Sequence, residues 1–102
     1  MPMSDPRTIL ESIALKKCLT VTYNRVTMKL APHILYSRDD ALHIDAVALE
    51  RAGLRPQEKK LGVFRLSGLK DMALTDEKFS VEPLFEPKAE RYDGATLLAV
   101  EA

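Results

Sequence analysis

The sequence predicts a mostly β, α+β domain in which one N-terminal helix packs on a small, strongly curled sheet or barrel of five to seven strands. Three observations carry this. The apolar pattern is helical only near the N-terminus and switches to a period of two by Leu19. From there, short runs rich in apolar and β-branched residues are separated by turn-forming pairs such as Asn24-Arg25, Asp39-Asp40 and Ser67-Gly68. A length of 102 residues leaves room for one hydrophobic core. The expected organisation is a single domain over 1–102, with a helix over 6–17, a barrel over 18–75 and an extension with a last strand over 76–102.

In the helix, Ser4 or Asp5 is the candidate cap and Pro6 suits the first helical position. Ile9, Leu10, Ile13 and Ala14 recur at helical spacing, and Lys16 and Lys17 fall in the last turn, where cations complement the helix dipole. Leu19, Val21 and Tyr23 then alternate with Thr20 and Thr22 as a half-buried strand. After Asn24-Arg25 a second strand runs from Val26 to Leu30, and Pro32 interrupts it. Ile34–Tyr36 and Ala41–Val47 form a hairpin around Asp39-Asp40. Pairing Arg38 with Ala41 sets Leu35 opposite Ile44, Tyr36 opposite His43 and Ser37 opposite Leu42. Leu35, Leu42, Ile44 and Ala46 then form a core face, and Tyr36, His43 and Asp45 a polar, presented one. A charged loop over 50–60 precedes strands at Leu61–Leu66 and Leu69–Leu74. The extension carries Phe79, Phe85 and Tyr92 among Pro83 and Pro87, which reads as a wrap across the domain because free tails seldom spend three aromatics. Ala95–Val100 makes a last strand after an Asp93-Gly94 turn.

The formal net charge is zero, which argues against a uniformly basic nucleic-acid binder. The zero hides a split, with six Lys/Arg against one acid over 51–70 and three against eight over 71–102. Such a pair of segments either binds an anion or neutralises itself. One cysteine, Cys18, excludes an internal disulfide and suits a reducing compartment. No secretory signal and no apolar run of about 20 residues is present, so the expected location is the cytoplasm, away from membrane.

Nothing in the sequence assembles a catalytic site, so no enzymatic role, cofactor or metal is expected. Cys18 is flanked by apolar residues and reads as a buried small hydrophobe, although Lys16 and Lys17 are placed to activate a thiolate. His33 and His43 fall on opposite faces of the hairpin, too far apart to share an ion at zinc's bond length of ~2 Å. No glycine-rich phosphate loop or calcium-loop pattern occurs. Arg65, at mid-strand in Gly62–Leu66, is costly to bury without a partner and reads as solvated, ion-paired or anion-binding.

The order of these segments resembles a WYL domain over roughly residues 8–75. The matching features are the strand ending at Tyr23, the basic strand ending in Pro32-His33, the apolar hairpin and Phe64-Arg65-Leu66. The family's Trp-Tyr-Leu falls on Leu42, His43 and Ile44, with histidine in place of tyrosine. Its arginine-rich segment departs at Ser67 and Gly68, and Lys29 stands one position from its usual basic residue. The resemblance implies an Sm/SH3-like β-barrel and a ligand-sensing module of bacterial transcription regulators. The helix-turn-helix that accompanies such sensors is not encoded here. The expected function is thus a non-enzymatic binding module in which Lys29, Tyr36, His43, Asp45 and Arg65 receive an anionic ligand, a nucleotide or single-stranded nucleic acid. The alternative is a protein-interaction or homo-oligomerisation module, with a homodimer or a regulator protein as partner.

Overall fold

A computed structural model describes residues 6–86, 88–92 and 94–100. The elements are helix α1 (Pro6–Leu15) and strands β1 (Lys17–Tyr23), β2 (Val26–Arg38), β3 (Ala41–Arg51), β4 (Leu61–Arg65), β5 (Leu69–Lys78) and β6 (Thr96–Ala99). Single turns of 3-10 helix follow β4 at Leu66–Gly68 and precede β6 at Glu90–Tyr92. The candidate caps Ser4 and Asp5, and Asp93 of the last predicted turn, lie outside the described residues.

The helix lays Ile9 and Ile13 into the core, as their spacing dictates. It ends at Leu15, earlier than expected. Lys16 adopts φ 56°, a left-handed stop, and Lys17 already belongs to β1, so neither lysine sits in the last helical turn. The Ser12 hydroxyl donates to the Lys17 carbonyl and stitches the helix to that strand.

The strands form one antiparallel sheet in the order β4-β3-β2-β1-β5, with β6 pairing β2 beside that path. The sheet is open, with β4 and β5 at its two ends. Asn24-Arg25 and Asp39-Asp40 all have positive φ (51°, 65°, 51° and 60°) and close two-residue turns between Tyr23 and Val26 and between Arg38 and Ala41. Such turns match the twist of the flanking strands. The β2–β3 register is the predicted one, with Leu35 opposite Ile44 and Tyr36 opposite His43.

Pro32 does not end β2. The strand continues through it for 13 residues because its neighbour changes there. β1 pairs with Val26–Leu30 and β6 with Ile34–Tyr36, so the proline, which has no N–H to donate, falls in the gap between the two partners. The ladder to β3 bulges at the same place, between Pro32 and Ile34. β5 is also longer than predicted and bulges against Thr20–Thr22 with Asp71 at φ 51°.

The core joins Ile9, Leu19, Leu30, Ile34, Leu35, Ile44, Phe64 and Leu69 to Phe85, Tyr92 and Val100 from the last quarter of the chain. That quarter is the expected wrap. Its strand spans Thr96–Ala99, with the Val100 N–H donating to the His33 carbonyl at 2.8 Å. No helix among the described residues is long and apolar enough to cross a membrane.

Candidate functional site

The hairpin register brings four of the five candidate residues together. Tyr36 pairs with His43 and His43 with Arg65, so the three form one row across β2, β3 and β4, with Asp45 two residues along β3. Directly opposed residues on one face lie within side-chain contact, and the Tyr36 and His43 rings stack at 5.9 Å between centroids.

This face is not presented to solvent as alternation suggested. Tyr36 and Asp45 are fully buried, His43 is half-buried and Arg65 is exposed, so the row steps outward from the core. The cover comes from the wrap. Tyr92 packs edge-on against Tyr36 at 5.1 Å. The Tyr36 hydroxyl donates to one oxygen of Asp45 at 2.7 Å, and the Tyr92 hydroxyl donates to the other. A carboxylate accepting two phenols belongs to a structural network, since its oxygens are already occupied.

Lys29 stands apart, seven residues up β2 in a region where β2 opposes Glu50. Its ammonium contacts Glu77 at 2.7 Å and Glu50 at 3.1 Å. Those carboxylates hold its pKa above the usual lysine value, the Glu77 hydrogen bond contributing most. Two acids around one lysine leave a local negative excess, so Lys29 is removed from the anion-binding set. A recess of about 260 Å3 beside it is lined by Glu50, Glu77, Arg55, Gln57 and Lys59, charges of both signs.

His43 and Arg65 are different. The His43 Nδ1–H donates to the Ala41 carbonyl at 3.1 Å, which leaves Nε2 as an acceptor in the neutral ring. Among the described residues neither Nε2 nor the Arg65 guanidinium has a partner. Together they make a small polar head at the end strand of the sheet.

The two histidines do not lie on opposite faces. The bulge breaks the alternation at His33, and a ladder of rings runs from His33 through Phe85, Tyr92 and Tyr36 to His43, with steps of 5.3, 6.0, 5.1 and 5.9 Å. No three His, Cys, Asp or Glu side chains among the described residues are grouped to hold a metal. Cys18 is buried, and burial, reinforced by Glu77, pushes its thiol up in pKa against the smaller pull of Lys29. Lys16 and Lys17 therefore do not activate it, and the buried-hydrophobe reading of Cys18 holds.

Sequence reasoning missed His33 and Tyr92 as members of this polar–aromatic layer. The one signal was the three aromatics in the extension, which pointed to a wrap but not to its contacts. No family model, curated protein or solved structure matches the chain.

Proposed function

We propose that the chain is a non-enzymatic binding module of WYL type that takes an anionic ligand, such as a nucleotide or a short single strand, at the solvent end of the Tyr36–His43–Arg65 row. The observation that carries this reading is the exposed Arg65 guanidinium, without a partner among the described residues, beside a histidine whose Nε2 is likewise unengaged among them. A guanidinium meets phosphate in a fork of two hydrogen bonds, and the half-exposed imidazole adds an acceptor for a base N–H and a stacking surface for its ring. Two features support an Sm/SH3-like barrel for this module. The strand order places β4 and β5 at the ends of the sheet, and one turn of 3-10 helix joins these end strands. Such a short link suits a sheet that curls its ends toward each other. The cytoplasm is the compartment that the single buried thiol suits.

Fluorescence anisotropy with labelled oligothymidine across a salt series tests the proposal. The expected result is micromolar binding that weakens with salt and falls about tenfold in Arg65→Ala, as for loss of a phosphate contact. A flat titration, or equal affinity in the variant, overturns it.

A second reading, self-association through a sheet edge, rests on β4, whose outer edge has no strand partner among the described residues and whose Val63 is exposed. Light scattering separates the two: a concentration-dependent dimer that Val63→Lys abolishes supports edge pairing, and a strict monomer removes it.

A further inference from the structure

His33 is the only buried histidine among the described residues, and both of its ring nitrogens are committed. The Nδ1–H donates to the Ala31 carbonyl at 2.7 Å. This fixes the tautomer and makes Nε2 an acceptor, which takes the Glu82 backbone N–H at 3.0 Å. The ring lies between Phe79, at 5.1 Å, and Phe85, at 5.3 Å. One side chain on β2 therefore holds the start of the wrap by a hydrogen bond at its middle and ring contacts on either side. The Phe79 N–H donates to Lys16 and the Phe85 N–H to Glu82, so the segment has few other main-chain ties.

We infer that His33 is an acid-sensitive latch that holds residues 79–86 on the sheet and releases them when its Nε2 is protonated. The chemistry is a donor–acceptor conflict. Nε2 binds Glu82 through its lone pair, and a proton there sets one N–H against another inside an apolar sandwich. The charged group facing the ring from the segment itself is Glu82, whose carboxylate is engaged by Lys59 at 3.0 Å. On β3 the charged residue at the facing register position is Asp45, opposite Ile34, and tyrosine hydroxyls donate to both of its oxygens. Burial, the largest influence, lowers the His33 pKa, against smaller opposing effects of the Ala31 carbonyl and Glu82. The closed segment therefore refuses a proton that the open one accepts near the ordinary histidine value of about 6.5. The latch is held above that pH and loosens as pH falls below it, toward the depressed value of the closed state. This inference stands whether or not the module binds an anion.

Amide hydrogen exchange on the 102-residue chain tests it, with rates expressed as protection over the unstructured chain. One differentially bound proton predicts that protection of the Glu82 amide falls about tenfold per pH unit below about 6.5. Amides of the β1–β2 ladder keep theirs. In His33→Phe the tilted and edge-on ring contacts are kept but no group titrates there, so the pH slope disappears. It persists in Glu82→Gln, which keeps the backbone N–H. Equal loss throughout the sheet, or a slope that survives in His33→Phe, overturns the latch. Should His33→Phe fail to fold, ring titration by NMR in the unaltered protein decides. The His33 ring and the Glu82 amide must then share one midpoint below about 6.5, and separate midpoints overturn it.

Discussion

Asp45 shows how one side chain can join distant parts of a small chain. It lies on β3, yet its two acceptors are filled by Tyr36 from β2 and by Tyr92 from the wrap, 47 positions away. A buried hydrogen bond to a carboxylate is worth about 1.5–3 kcal/mol, and losing its acceptor costs more than losing one donor. Asp45→Ala should thus destabilise the protein by about 3–5 kcal/mol, and Tyr92→Phe by about half that. Urea unfolding at unchanged slope measures both. A cost under about 1 kcal/mol for Asp45→Ala would show that this network is ornamental. Local pattern placed Asp45 and Tyr36 on one face correctly but made that face open to solvent. Alternation assigns sides, and only the tertiary path of residues 79–100 decides which side is covered.

At the scale of the element, the hairpins were the most legible part of the chain. Asp39-Asp40 fixed the β2–β3 register because a two-residue turn leaves no freedom in the pairing that flanks it. Pro32 misled for the opposite reason. A proline forbids one hydrogen bond, and whether that breaks a strand depends on a neighbour the local sequence does not name; here β1 has ended and β6 has not begun. The helix end was likewise overshot by the reading of Lys16 and Lys17, since a lysine at φ 56° has no sequence signature as clear as glycine. The same backbone demand makes a prediction. Arg25 is exposed and sits at φ 65° in a turn that glycine fills without strain. Arg25→Gly should stabilise the β1–β2 hairpin by about 1 kcal/mol, the strain removed outweighing the extra entropy of the unfolded glycine. For a chain of this size that is a rise in Tm of roughly 4–8 °C. An unchanged or lower Tm would mean that the entropy cancels or exceeds the strain.

Across the whole molecule, the charge split of the sequence is partly folded onto itself. Lys59 from the basic stretch meets Glu82 from the acidic one, and Lys29 meets Glu77. Exposed pairs of this kind contribute at most about 1 kcal/mol each, so they guide the wrap without holding it. The holding is apolar. Phe85, Tyr92 and Val100 are buried in the same core as α1 and the sheet, and Phe79 packs against its edge. Full burial of a large apolar side chain is worth about 1.5–3 kcal/mol, so Phe85, Tyr92 and Val100 alone contribute on the order of 5–9 kcal/mol. A domain of this length has a total stability of about 5–15 kcal/mol. A chain ended at Lys78 therefore loses most or all of its margin, and it also uncovers the Ile34–Tyr36 edge that β6 pairs. The truncated protein should show no cooperative urea transition, and it should bind a hydrophobic dye that the full chain excludes. The acid latch opens only the 79–86 segment and leaves Tyr92, Val100 and β6 seated, so its release carries only the share of this cost that belongs to Phe79 and Phe85. A truncated chain that melts cooperatively within a few degrees of the full one would show that residues 18–78 form a complete barrel-like unit and that the wrap is an accessory to it.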